Sequence, residues 1–254
     1  WENHSKQEGV KQMNLKKPDR VGITPETGFC PGCGHGVACR LVAEAAEELG
    51  INERLVIAHD VACGCIGVEM MRFDAIVSAH GRPIPTASGY QKIRPDNIAC
   101  AYLGDGSAYS IGAAELVHSA LRNDNITVIV VNNTVYGMTG GQMAPTSLPG
   151  EKTMSSIHGK DPKRYGTLNV VDILGKQKIA YLARGEMYDV LSIARCKKMV
   201  KKAFQNQMEK RGFSLVELLS PCPTNLHMTP LKTKEFIHTE AVKYFPLGEF
   251  IDVT

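Results

Sequence analysis

The stretch from Tyr102 to Gly141 (YLGDGSAYSIGAAELVHSALRNDNITVIVVNNTVYGMTGG) constrains this chain more than any other. It reads as strand, glycine turn, helix, strand and a second polar turn. The run NIACAYLG (97–104) is apolar and of strand length. It ends at Gly104-Asp105-Gly106, where glycine lets the backbone adopt positive φ and approach a ligand closely. Ser107 is a candidate cap for the next helix, whose N-terminal N–H groups face whatever occupies the turn. The run ITVIVV (126–131) is β-branched and uninterrupted, as a parallel strand buried on both faces should be, and it ends at Asn132-Asn133. Two adjacent parallel strands would bring Asp105 and Asn133 to one carboxyl edge, where open α/β sheets bind ligands. One carboxylate, one amide oxygen and a few backbone carbonyls make a hard-oxygen set suited to Mg²⁺, a metal usually held together with substrate phosphates. A pyrophosphate on the helix N-terminus, bridged by Mg²⁺, is the physical reading.

Length and composition fit one α/β domain. At 254 residues, 43% hydrophobic and 22% charged, the chain can bury a sizeable core. A net charge of +3 on scattered basic residues gives no argument for nucleic acid. No run of about 18 apolar residues appears, so no membrane span is expected. The opening WENHSKQEGVKQMNLKKPDR is polar and lysine-rich, without an apolar signal region; residues 1–28 read as an exposed extension and the cytoplasm is the default compartment. Without an initiator Met, the sequence also reads as incomplete at this end. Residues 29–254 show no repeat and no domain boundary.

Eight cysteines without a secretion signal point to metal or redox chemistry rather than a disulfide framework. Cys39, Cys100 and Cys196 sit in apolar helix or strand patterns and read as small buried hydrophobes. The other five fall in loops. FCPGCGHG (29–36) carries Cys30 and Cys33 in a turn before a helix that Gly50 stops. VACGC (61–65) follows the strand LVIAHD, and SPCPTN places Cys222 after the strand FSLVELLS. Cys30, Cys33, one of Cys63 or Cys65, and Cys222 would thus gather at one edge, as a zinc or an iron–sulfur site.

The GDG, 25 residues, NN pattern resembles the diphosphate-binding motif of thiamine-diphosphate enzymes. The resemblance implies Mg²⁺ ligation by Asp105, Asn133 and the carbonyl of Val135, with Gly104, Gly106 and Ser107 around the diphosphate. FCPGCGHG, Gly64-Cys65, His80-Gly81-Arg82, GDGS, NNTVYGMTGGQMAPT and SPCPT follow in the order seen in the β subunits of 2-oxoacid:ferredoxin oxidoreductases. That family implies an α/β fold, a single thiamine-diphosphate-binding domain (the phosphate-binding half) with a mostly parallel sheet flanked by helices. It implies one [4Fe–4S] cluster on Cys30, Cys33, Cys65 and Cys222, Cys65 being taken because Gly-Cys is the family's form of the third ligand. It also implies a 2-oxoacid, CoA and ferredoxin as reactants. The expected partners are a pyrimidine-half α subunit, a γ subunit and a ferredoxin-like δ subunit, or their fusions.

Other roles follow from position. His80 and Arg82 are candidate catalytic groups for the substrate carboxylate or the diphosphate, with pairing of Arg82 to a structural carboxylate the equal alternative. His35 is placed on the diphosphate or in a turn cap; Tyr136, Met138 and Thr139 line the pocket. Glu115 reads as structural, so the glutamate that acts on the aminopyrimidine is expected from another subunit. Some relatives that use 2-oxoglutarate carry lysines where this chain has Val68 and Gly140. A distal carboxylate buried without a cation is costly, so a branched 2-oxoacid such as 2-oxoisovalerate is the better fit. Residues 142–170, rich in Pro, Gly, Ser and Lys, read as a lid, a subunit interface or a surface loop. A strand is expected over 179–187, then an amphipathic helix with a basic face, and a tail with a short helix that docks on a neighbouring chain. Two competing functions remain: a non-oxidative thiamine decarboxylase or carboligase subunit with a structural Cys₄ metal site, and a non-catalytic Cys₄ interaction module.

Overall fold

Apolar runs of strand length become the middle of a sheet. In a computed structural model, which describes residues 17–21 and 27–253, helix α1 (His35–Glu48) leads into β1 (Leu55–Asp60). A 3₁₀ turn (Cys63–Ile66), α2 (Gly67–Met70), β2 (Asp74–Ser78), α3 (Pro83–Ile93) and β3 (Ile98–Gly104) follow. Next come a π turn (Ser107–Ile111), α4 (Ala113–Leu121), β4 (Thr127–Asn132) and a short hairpin of β5 (Val135–Tyr136) and β6 (Gln142–Met143). After α5 (Val170–Leu174), β7 (Tyr181–Glu186), α6 (Val190–Met208) and β8 (Ser214–Leu219) complete the parallel part. The C-terminal segment holds α7 (Pro223–Leu226), α8 (Pro230–Phe236), a π turn (Ile237–Ala241), α9 (Val242–Tyr244) and β9 (Gly248–Asp252).

The seven-stranded sheet has the order β2-β1-β3-β4-β8-β7-β9, parallel except for β9, which runs antiparallel to β7. Strands β1, β4, β7 and β8 are buried along their whole length, which the aliphatic runs of β1, β4 and β8 anticipate and the charged YLARGE of β7 does not. Alternation sends Cys100, Tyr102, Ile129 and Val131 into an apolar layer under α1 and α6. It sends Ala101, Leu103, Val128 and Val130 into a second layer with Ile84 and Ala87 of α3 and Leu116 of α4. The expected strands at 97–104, 126–131, 179–187 and 213–220 are all present within a residue or two, as is the buried placement of Cys39, Cys100 and Cys196. Helix α6 starts where Asp189 and Ser192 form a reciprocal capping box.

One expectation changes and two gain detail. Ser107 does not cap the helix: the helical turn starts earlier, and Ser107 Oγ instead accepts from Gly81 N at 3.1 Å. The tail packs on its own domain, because β9 adds an edge strand to β7 and Ile237, Ala241 and Phe245 cover Leu148 and Leu219. The extension is not exposed throughout, since Val21 is buried in a bridge with Met71; its residues 1–16 and 22–26 lie outside the described residues.

A charged pair sits in the middle of this apolar sheet. Arg184 of β7 and Glu217 of β8 are register neighbours, fully buried, with Arg184 Nε donating to Glu217 Oε2. Glu217 Oε1 also accepts from Tyr109 OH and Asn132 Nδ2, each at 2.9 Å. The rest of the guanidinium donates to Asn169 Oδ1 at 2.7 Å and Pro246 O at 3.1 Å. Removing one partner of a buried pair strands the other charge, at a cost of about 3–5 kcal/mol. Arg184→Met should therefore lose that much stability in chemical denaturation. Arg184→Met with Glu217→Gln, which keeps an acceptor for Tyr109 and Asn132 without the charge, should recover more than half.

Candidate functional site

Parallel strands end on one side, and the residues just beyond β1, β3, β4 and β8 form one rim. Between them lies a cavity of about 260 Å³ lined by Asp60, Gly104, Asp105, Asn133 and Val135 among others. Its position fits the rule for open α/β sheets: the connection after β1 runs one way, to β2, and the connection after β3 runs the other way, to β4, so the two diverge between β1 and β3.

Asp105 and Asn133 meet as expected. The Asn133 N–H lies 3.5 Å from Asp105 Oδ1, and Asn133 Oδ1 accepts from Val135 N at 3.3 Å. Asp105 is 2% exposed, and burial pushes its carboxyl up to about 7, against hydrogen bonds from Thr146 and Asn133 that lower it. Such a carboxylate lacks a counter-charge, and Asp105, Asn133 and the Val135 carbonyl are the oxygen donors that a divalent cation would use. Gly104, Gly106 and Ser107 line the same cavity. A Cβ on Gly106 would fall 2.4 Å from the Tyr136 ring, so glycine is what lets Tyr136 close over the turn. Met138 and Thr139 are also in the lining.

The 142–170 segment braces this turn. Thr146 Oγ1 donates to Asp105 Oδ2, and Ser147 Oγ donates to Thr134 O. Thr134 has φ of 66°, an unusual value for a β-branched residue, held by these bonds and by Glu151 Oε1 accepting from its hydroxyl at 2.8 Å. The Lys160 ammonium ties the segment together by donating to Ser147 O at 2.7 Å and Pro145 O at 3.1 Å.

The basic residues separate. His80 lines the cavity, and its Nδ1 lies 3.0 Å from the buried carboxylate of Asp60. Asp60 Oδ1 also accepts from Gly81 N at 2.9 Å. Arg82 does not reach the cavity: it caps α3, pairs with Glu115 at 3.1 Å and donates to Ile111 O at 2.7 Å. The structural alternative for Arg82 and Glu115 is the one found. His35 lies at the cavity with Nδ1 2.8 Å from Tyr102 OH, and burial holds its pKa down at about 4.

The loop thiols divide as well. Burial pushes Cys33 up to about 12; the backbone N–H of His35 opposes the shift, and Cys222, Cys63 and Cys30 add to it. Burial raises Cys63 to about 11, with Cys222 and Cys30 adding. Cys222 is raised by burial, although Asn225 donates to its sulfur at 3.5 Å. The four thiols that act on one another are therefore Cys30, Cys33, Cys63 and Cys222. Cys65, the third ligand expected from the Gly-Cys pattern, lies half-buried on the same 3₁₀ turn as Cys63. Cys63 opens the 3₁₀ turn, its sulfur 3.2 Å from where a Gly137 Cβ would stand. A 3₁₀ turn advances a third of a circle per residue, so two residues on Cys65 leaves on another side. Among the described residues no three His, Cys, Asp or Glu side chains are grouped to hold a single metal ion.

Sequence reasoning missed Asp60, Gly137 and Thr146. The first was legible, since Asp60 ends an apolar strand just as Asn132 does; Thr146 sits in a segment with no periodicity to place it.

A family model described as thiamine pyrophosphate enzyme, C-terminal TPP binding domain, matches residues 62–218. The chain is similar to the ketoisovalerate oxidoreductase subunit VorA of Methanothermobacter thermautotrophicus, with 37% identity over 249 residues, 94% of this chain and 52% of the relative. It is similar to the 2-oxoacid:ferredoxin oxidoreductase subunit beta of Sulfolobus sp, with 32% identity over 235 residues, 91% of this chain and 72% of the relative. Among solved structures, 2-oxoglutarate:ferredoxin oxidoreductase from Magnetococcus marinus with 2-oxoglutarate, coenzyme A and succinyl-CoA bound matches with a TM-score of 0.75. That match has 25% identity and covers 97% of this chain and 88% of that chain. The chain spans about half the length of the VorA relatives it matches.

His35 also makes a prediction about pH. Its folded pKa, about 4, lies below the ordinary 6.5, so the unfolded chain binds more protons between those values. Its stabilising contribution is complete above pH 6.5 and is lost as the pH falls through about 4. Denaturation midpoints should fall more steeply from pH 6.5 to 4.5 in the natural chain than in His35→Gln, by up to about 1.4 kcal/mol per pH unit.

Proposed function

The chain belongs to the thiamine pyrophosphate enzymes, as a β-type subunit of the 2-oxoacid:ferredoxin oxidoreductases, and from that premise we propose that it carries the phosphate-binding half of their active site and one [4Fe–4S] cluster. The assembly it serves would oxidatively decarboxylate a 2-oxoacid to an acyl-CoA and CO₂, passing electrons one at a time to ferredoxin. The observation that carries this reading is the shared rim: the Asp105/Asn133 turns and the four interacting thiols open at the same ends of one sheet.

When bound, thiamine diphosphate supplies the carbanion and the electron sink that loss of CO₂ from a 2-oxoacid requires. The N–H groups of the first helical turn at Gly106 and Ser107 are placed to receive a phosphate, because they have no intrahelical partners. Asp105, Asn133 and the Val135 carbonyl would hold Mg²⁺; the raised carboxyl of Asp105 fits a cation that cancels its burial. His35 would contact the diphosphate. His80, oriented by Asp60, faces the cavity as a polar group for the substrate. Tyr136, Met138 and Thr139 would wall the reacting end.

Thiols raised by burial and by one another become good ligands when positive iron replaces their protons. The cluster would therefore rest on Cys30, Cys33, Cys63 and Cys222. An iron–sulfur centre beside the cofactor is what separates an oxidoreductase from a non-oxidative decarboxylase. Val61 and Met138, apolar and about half exposed at the cavity mouth, suit a partner subunit bringing the pyrimidine half. The γ and ferredoxin-like δ subunits belong to the same proposal, as does a cytoplasmic location; no helix among the described residues is long and apolar enough to cross a membrane.

A branched 2-oxoacid such as 2-oxoisovalerate is the proposed substrate. No Lys or Arg lines the cavity among the described residues, so the distal carboxylate of 2-oxoglutarate would be buried without a cation from this chain. At Gly140, φ of 110° also disfavours the lysine that some 2-oxoglutarate enzymes carry.

Two measurements test the proposal. The native assembly, purified without oxygen, should reduce ferredoxin in a CoA-dependent reaction with 2-oxoisovalerate at least tenfold faster than with 2-oxoglutarate. Absence of CoA-dependent reduction with any 2-oxoacid would refute the oxidoreductase reading. Iron analysis should find the cluster lost in Cys63→Ser and retained in Cys65→Ser; the reverse result would restore Cys65 as the ligand.

A further inference from the structure

We propose that Tyr102 is a positioning residue: it locks His35 in the tautomer that carries its proton on Nε2, so that a neutral N–H donor meets an anionic phosphate oxygen in the cavity. The identity of that acceptor rests on the thiamine-diphosphate reading; the tautomer itself does not.

Tyr102 lies in the middle of β3 and is 0% exposed, so its hydroxyl must find its partners inside the protein. Two are within reach, His35 Nδ1 at 2.8 Å and Cys39 Sγ at 3.7 Å. A phenol has one proton to give. An imidazole nitrogen is a strong acceptor and a thiol sulfur a weak one. Were Nδ1 protonated, it would donate to the phenol oxygen, leaving the buried O–H only the long sulfur contact. The opposite order satisfies every group: the Cys39 thiol donates to the phenol oxygen, and the phenol donates to Nδ1. A neutral imidazole that accepts at Nδ1 carries its proton on Nε2.

Packing holds the ring in that pose. Phe29 stacks on His35 with centroids 5.3 Å apart and planes 5° from parallel. His59, the other imidazole near Tyr102, does not compete for the hydroxyl, because its Nδ1 bonds Gly64 O at 3.0 Å. His35 lines the same cavity as Gly106 and Ser107, and its Nε2 has no hydrogen-bond partner among the described residues. A phosphate oxygen on the Gly106 turn can only accept, so this tautomer complements it and the other would not. Nothing in the linear pattern announced the relay, since Tyr102 and Cys39 both read as apolar positions of a strand and a helix.

The test uses the full chain labelled with ¹⁵N-histidine, and the assembly for affinity. In the cofactor-free chain the ¹⁵N signals of His35 should be those of the Nε2–H tautomer, and Tyr102→Phe should convert them to a mixture. In calorimetry with Mg²⁺, Tyr102→Phe should weaken thiamine diphosphate binding about two- to threefold, in proportion to the fraction of the Nε2–H tautomer that is lost. His35→Gln, which retains a donor near the Nε2 position, should stay within about threefold of the natural protein, while His35→Asn should lose roughly tenfold. An Nδ1–H signal in the natural chain, a Tyr102→Phe protein with unchanged tautomer, or Asn outperforming Gln would each overturn the proposal. Failure of the natural assembly to bind thiamine diphosphate would instead overturn the cofactor reading, with the tautomer signals still judging Tyr102.

Discussion

The carboxylate of Glu217 is the anchor on which the rim depends. It stands on β8, the strand whose end leads to Cys222, and is paired with Arg184 across the register. Through Tyr109 it grips the π turn that follows Asp105-Gly106, and through Asn132 it grips the residue before Asn133. One buried group thus ties both cavity turns to the thiol-bearing strand. A charge so deep in an apolar sheet is weak evidence of stability, since well-packed hydrophobic residues often do as well. Its value is geometric: a buried carboxylate that takes one bond from Arg184 and one each from Tyr109 and Asn132 has few alternative arrangements, so the strand ends cannot drift relative to one another.

The same placement leaves the rim electrostatically incomplete. Glu217 adds to the burial that raises Asp105, and Asp105 in turn raises Cys63 and Cys222. A carboxylate and several thiols are gathered where charge of their own sign is unwelcome, with few positive side chains to answer them. Cations bound at the oxygen donors and at the sulfurs would relieve both strains at once, which is how a protein can hold residues in positions that its folding energy alone would not favour. The segment that carries Thr146 and Lys160 supports this arrangement from beneath.

Much of this is legible in the amino-acid sequence. An uninterrupted β-branched run marked β4, the glycines around Asp105 marked the turn, and two polar residues after that run marked the second rim. What was not legible came from contacts between distant segments. Spacing alone does not choose between Cys63 and Cys65, and the 3₁₀ turn sends them to different sides, with Cys63 toward Gly137. Arg82 had two equal readings in the sequence, and α4 then brings Glu115 beside it. The edge strand β9 hid in a short, mixed run because edge strands need only one apolar face. Ser107 looked like a cap because local chemistry allowed it; a π turn and Gly81 took its hydroxyl elsewhere.

On the proposed reading, an oxygen-lined cation site and a sulfur-held cluster share one rim of one sheet. Paramagnetic relaxation tests it most directly. With Mn²⁺ in place of Mg²⁺ and thiamine diphosphate present, the reduced cluster of the anaerobic assembly should show markedly faster electron spin relaxation, an effect that Asp105→Asn abolishes. Cluster relaxation indifferent to Mn²⁺, in protein shown to contain both metals, would place the two sites apart and contradict the account.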